Sequence, residues 1–208
     1  MTPRDTPTPP IALVDFLLKD YGPNYMHFDF SVKDMLIYLD LLWWRINPDR
    51  HTILNMGIGK GTPTILFTAL DYNVDITHVE LDKKREVDIT KQEKIKWNTD
   101  FLAYLKQSRK NSFDGVVFWH GPEHLESKLG RKAIRQSLRV AKKWVIVSCP
   151  WDRLSGWKAS KGLSRKTRRK LGHKSIWTEN SFLKLGLKTL TVGERGKHPG
   201  FILGWKIN

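Results

Sequence analysis

His120, Glu123 and His124 fall within five positions of one another, directly after the apolar run 113–119. Imidazole changes charge near neutral pH and a carboxylate accepts protons, so this trio suits a general base acting on a hydroxyl or protonated amine. The plainer reading is that His124 satisfies local backbone and Glu123 faces solvent. A second group lies upstream. In 53–64, Ile-Leu-Asn-Met-Gly-Ile-Gly-Lys-Gly-Thr-Pro-Thr, an apolar run leads into the alternating glycines Gly57, Gly59 and Gly61. Glycine reaches positive φ and carries no Cβ, so such a turn brings backbone close to a nucleotide-bearing ligand. Glu80 follows about 20 residues later at the end of a second apolar run, where a carboxylate reaches ribose hydroxyls in nucleotide-binding βαβ units.

These residues need a scaffold, and the alternation of patterns supplies one. Apolar runs at 53–56, 76–80, 95–98, 113–119 and 144–149 read as strands separated by helical stretches, which predicts a mainly parallel sheet covered by helices. The last two runs, 187–192 and 200–207, are joined by too few residues for a crossover helix and so predict an antiparallel hairpin. Ahead of the sheet, 11–19 and 34–45 have helical spacing, with Met35, Leu36, Leu39, Leu42 and Trp43 forming a core stripe. Between these helices, Tyr21, Tyr25, His27 and Phe28 read as a hydrophobic cover for the sheet or a lid over its ligand. Residues 1–10 read as a disordered, proline-rich lead-in. The remainder, 11–208, is expected to be a single domain, with N-terminal helices in 11–50 and a basic insertion at 151–176.

Composition narrows the class. The single cysteine, Cys149, excludes an internal disulfide framework. No apolar stretch is long enough to span a bilayer and the N-terminus lacks a signal-peptide core, so the expectation is a cytoplasmic protein with no membrane partner. The seven histidines and one cysteine show no metal-ligand spacing, and no metal is expected. The net charge of +15 favours polyanionic partners.

The ordered motifs resemble the Rossmann-like S-adenosylmethionine-dependent methyltransferases, particularly the small type 11-like ones, over roughly 52–208. A dinucleotide fingerprint requires a small residue where Thr62 stands, whereas alternating glycines suit the methyltransferase turn. The resemblance implies a Rossmann-like sandwich with a C-terminal antiparallel hairpin and S-adenosylmethionine as cofactor. It further implies that Glu80, followed by Leu81, holds the ribose. Asp100, followed by Phe101, is implied to contact the adenine. Trp119 is a candidate pocket wall, and Glu123-His124 matches a fourth-strand Glu-His motif. His173 matches a stretch before the last helix that lines the acceptor pocket or packs. Two departures stand out. Asn55 occupies the place of the carboxylate that ordinarily ends the first strand and helps hold the cofactor's methionine end. Ala141-Lys142-Lys143-Trp144 replaces a Pro-Gly-Gly turn, away from the chemistry.

The acceptor is left open. From 153 to 174 there are many Lys and Arg and no Asp or Glu, with Trp151, Trp157 and Trp177 in or beside the segment. Arg165, Arg168 and Arg169, with His173, are candidate substrate-binding residues. They suit either a nucleic acid, through phosphate contacts and base stacking, or a small acidic or phosphorylated molecule. Trp119-His120-Gly121-Pro122 stands where amino-methylating enzymes of nucleic-acid bases carry an Asn/Asp-Pro-Pro-aromatic motif, which argues against methylation of base amino groups. A nicotinamide-dependent oxidoreductase, an RNA-binding protein with a weak cofactor site and a regulatory subunit are the alternatives. Oligomeric state is not readable from the chain.

Overall fold

The computed structural model describes residues 26–27, 30–31, 51–57, 75–81, 93–96, 99–150, 172–192 and 201–207. The expected helices at 11–19 and 34–45, and nearly all of the basic insertion, lie outside the described residues, as do Gly59, Gly61 and Thr62. So do Arg165, Arg168 and Arg169. A short antiparallel pair, β1 (Met26–His27) with β2 (Phe30–Ser31), precedes the main sheet and was not anticipated from the sequence.

The main sheet has seven strands: β3 (Thr52–Met56), β4 (Asp75–Val79), β5 (Glu93–Lys96), β6 (Phe113–Trp119), β7 (Ala141–Pro150), β8 (Lys188–Val192) and β9 (Phe201–Ile207). Their spatial order is β5-β4-β3-β6-β7-β9-β8. The first five are mutually parallel, and β9 runs antiparallel to both β7 and β8. Strand types and hairpin follow the sequence expectation, with β7 extending further toward its amino end than the apolar run 144–149.

The reason is visible in burial. Ile53, Leu54, Asn55 and Met56 are all buried, as a central parallel strand covered on both faces requires. Helix α1 (Phe101–Gln107) and helix α2 (Ser127–Val140) cover the sheet, and α2 buries Gly130, Ala133, Ile134, Ser137 and Val140, the three-and-four spacing of one helical face. Arg139 of α2 donates to the Leu105 carbonyl and ties the two helices together. Helix α3 (Glu179–Leu183) is closed by a capping box between Thr178 and Ser181, and its Phe182 stacks on Trp177 with centroids 5.4 Å apart. The core joins Leu54, Met56, Val79, Val116, Phe118, Val145, Val147, Ile134, Trp177 and Phe182.

A polar latch closes the amino ends of the central strands. Thr52 donates its N–H and its hydroxyl to Asp114 Oδ2, both at 3.0 Å, while Asp114 N–H returns a bond to Thr52 Oγ1 at 3.1 Å. Lys143 Nζ sits 3.2 Å from Asp114 Oδ1, and Trp144 Nε1 donates to His51 Nδ1 at 3.1 Å. Ala141-Lys142-Lys143-Trp144 thus lies at the end of the sheet opposite the glycine turn. Among the described residues no helix is long and apolar enough to cross a membrane.

Candidate active site

From β3 the chain moves outward through β4 to β5, then crosses to β6 on the other side of β3. That reversal makes a topological switch point, where an open α/β sheet leaves a crevice beyond its strand carboxyl ends. Gly57 forms its floor. It follows β3 with φ of 82° and donates its N–H to the Val79 carbonyl at 2.9 Å. That φ calls for glycine, and a Cβ built there meets no atom of the described residues within 4 Å.

Asn55 lies beneath this turn, fully buried. Its Nδ2 is 2.9 Å from His78 Nδ1, across the β3–β4 register pair. Its Oδ1 is buried with no hydrogen-bond partner among the described residues. Glu80 stands just past β4, half-buried, and its Oε1 accepts from Leu81 N–H at 2.9 Å. Leu81 is 67% exposed, an apolar surface beside that carboxylate. Asp100 caps α1, with Oδ1 accepting from Ala103 N–H at 2.7 Å, which leaves Oδ2 for any ligand. Phe101 packs on Phe118, ring centroids 5.3 Å apart, so core packing accounts for its ring.

The second group is built on the turn after β6. His120 adopts φ of 46°, an uncommon conformation for a non-glycine residue and one that clusters at functional sites. Its N–H reaches both the carbonyl and the hydroxyl of Ser148, each at 3.1 Å. Gly121 must be glycine because a Cβ there would fall 1.9 Å from the Phe118 ring. A single 3-10 turn, Pro122–His124, then swings Glu123 inward.

Glu123 is 3% exposed, so it does not face solvent. Its Oε1 lies 3.5 Å from His120 Nδ1 and 3.9 Å from His124 Nε2; among the described residues no donor meets either oxygen with full hydrogen-bond geometry, although the Cys149 thiol and the Glu123 N–H are near enough to favour the ionised form. Burial pushes its carboxyl up to about 8. At neutral pH that group holds its proton and is not a general base. Burial, and then the neighbouring His124 and His173, hold His120 well below the usual imidazole range, so it is neutral and a weak base. Burial and then the adjacent Glu123 raise the Cys149 thiol well above its ordinary value. Sequence reasoning treated Cys149 only as a redox marker and missed Ser148. Both sit near the end of an apolar strand, and no local signal marks them out.

His173 joins the group through backbone docking. Lys174 and Ser175 donate their N–H groups to the Glu123 carbonyl at 2.7 and 3.1 Å, and Ser175 Oγ donates to the Pro122 carbonyl at 3.1 Å. Trp177 Nε1 donates to Ser175 Oγ at 2.8 Å and anchors the segment in the core. The His173 ring meets His124 edge-on, centroids 5.1 Å apart. One ligand atom from each of Glu123, His124 and His173 lies within 4.8 Å of the others. Trp119 is half-buried beside His120, centroids 6.4 Å apart.

No protein-family model matches this chain, and no curated protein matches it in sequence. Solved structures do match in fold. Magnesium protoporphyrin IX methyltransferase from Synechocystis, with bound S-adenosylhomocysteine, aligns with a TM-score of 0.60 at 15% identity, over 94% of this chain and 93% of that one. An S-adenosylmethionine-dependent methyltransferase from Archaeoglobus fulgidus aligns at 0.54 and 14% identity, over 83% and 94%. The [4+2]-cyclase SpnF aligns at 0.62 and 15% identity, over 95% and 94%. The chain therefore has the class I Rossmann-like methyltransferase fold, a seven-stranded, mostly parallel sheet with antiparallel C-terminal strands.

Proposed function

We propose that this protein is an S-adenosylmethionine-dependent methyltransferase whose cofactor lies in the crevice at the carboxyl ends of β3, β4 and β6. The observation that carries this reading is the positive-φ turn at Gly57, at the switch point of a sheet ordered β5-β4-β3-β6-β7-β9-β8. The surrounding residues fit the group. Gly57 provides close backbone approach, and the buried Asn55 Oδ1 offers an acceptor that the described protein residues do not use. Glu80 offers a carboxylate for ribose hydroxyls, Leu81 an apolar surface and Asp100 Oδ2 a further acceptor. Bound there, S-adenosylmethionine supplies a methyl group made electrophilic by its sulfonium.

The protein's part is alignment and exclusion of water. Neutral His120, held at φ of 46° by its bonds to Ser148 and too weak a base to carry the proton away, is placed to orient an acceptor hydroxyl or amine at the end of β6. Glu123 lies 3.5 Å from that imidazole, and its burial favours the protonated form and works against a role as base. The acceptor is a small acidic molecule or a polyanion, drawn by the net charge of +15 and by the basic stretch 153–174, which connects β7 to His173. A second reading, cofactor binding without methyl transfer, is favoured by one observation: Asn55, paired to His78, stands where the resemblance expects a carboxylate.

Calorimetric titration with S-adenosylhomocysteine and with NAD tests the cofactor, and binding of NAD alone sinks the proposal. Incubation with methyl-labelled cofactor and separate pools of RNA, DNA, protein and metabolites tests the reaction. Label in one pool supports transfer and names the acceptor class; cofactor binding with no label in any pool supports the second reading.

A further inference from the structure

A buried carboxylate with no hydrogen-bond donor is costly, and the cost is relieved either by a proton or by a cation. Glu123 comes close to that position: among the described residues no donor meets either oxygen with full hydrogen-bond geometry, and the heteroatoms around it are two imidazole nitrogens and the Cys149 thiol. His120 Nδ1 stands 3.5 Å and His124 Nε2 3.9 Å from Oε1, and the second distance is near the separation of two ligands arranged around a shared ion. Ligands bound at about 2.0–2.2 Å in a tetrahedron lie roughly 3.4 Å from one another. The group formed by Glu123, His124 and His173, with ligand atoms within 4.8 Å, needs a contraction of up to about 1.4 Å to reach that spacing. His124 has 48% of its side chain exposed and can rotate to supply it.

The support around the cluster is built rather than incidental. The Glu123 carbonyl receives both Lys174 and Ser175 N–H groups, so the segment bearing His173 is fastened to the turn bearing Glu123 and His124. Ser175 Oγ and the buried Trp177 fix that segment further. The three side chains therefore share one framework.

We propose that Glu123, His124 and His173 form a binding site for a divalent transition metal of the zinc class. Two imidazoles and one carboxylate match the donor set of open zinc centres and do not suit magnesium, which prefers oxygen ligands. Three protein ligands leave a fourth position for water or for an oxygen of the acceptor, and His120 borders it through Glu123. The site stands independently of methyl transfer, because binding is measured without cofactor.

The test uses the full chain, stripped with chelator and titrated with Co2+ while visible absorption is followed. One Co2+ per chain with visible ligand-field bands, displaced by Zn2+, is expected. His124→Ala and His173→Ala should each weaken binding at least tenfold with unchanged circular dichroism, and Glu123→Gln should abolish the bands. A folded protein that shows no bands at millimolar Co2+ overturns the proposal, as does affinity unchanged in both histidine variants.

Discussion

Asn55 and His78 form a fully buried side-chain hydrogen bond of 2.9 Å that joins β3 to β4 directly beneath the glycine turn. An amide nitrogen only donates, so His78 Nδ1 accepts and its ring carries the proton on Nε2. The amide that replaces the expected carboxylate is thus matched to a partner on the neighbouring strand. Asn55→Leu should leave His78 Nδ1 buried without its donor and cost about 1–3 kcal/mol. Urea unfolding measures the loss, and S-adenosylhomocysteine titration should show weaker binding because Oδ1 is gone. Unchanged stability would mean that the pair contributes nothing net.

Gly57 holds φ of 82°, and among the described residues nothing lies within 4 Å of where a Cβ would stand. Gly57→Ala should therefore destabilise the fold by only about 1–2 kcal/mol, the cost of placing an L-residue in that region. Cofactor binding should fall much further, since the new methyl enters the crevice. Loss of stability with affinity intact would remove the turn from the binding site.

Trp177 is 1% exposed, stacks on Phe182 and holds Ser175 through its indole N–H. Trp177→Ala should cost about 3–5 kcal/mol by creating a large cavity. Trp177→Phe should keep most of the packing while releasing Ser175. Thermal unfolding separates the two effects, and proteolysis near His173 reports the freed segment.

Asp114 gives a pH dependence with a definite sign. Its burial alone would raise the carboxyl, but the hydrogen bonds from Thr52 and the Lys143 ammonium outweigh that and hold it below the usual range. A group depressed in the folded state stabilises fully above its unfolded value, near pH 4, and that stabilisation is lost as pH falls through the folded value. Asp114→Asn should lower stability by about 1 kcal/mol at pH 7. The difference from the parent should shrink as pH falls below about 4 in acid-unfolding curves. A constant difference across that range would show that the charge is not what matters.

Much of the architecture was legible from periodicity. Ile53 to Met56 and the run at Phe113–Trp119 declare themselves because a strand buried on both faces must be apolar almost throughout, and the closing pair does so because too few residues separate the two runs for a crossover helix. Gly57 declared its turn because few other residues adopt that angle. Asp100 was found as a candidate ligand, and the fold adds that half of its carboxylate caps α1.

The sequence by itself determined the strands of the main sheet, the positive-φ glycine at Gly57 and the basic balance of charge, all of which follow from local pattern and composition. Only the tertiary structure decided that Glu123 is buried, that His173 meets His124, that Cys149 lies beside Glu123, and that Asn55 is matched to His78. Those relationships join residues far apart in the chain. Their energies depend on which groups lose water together, and linear spacing carries no record of that.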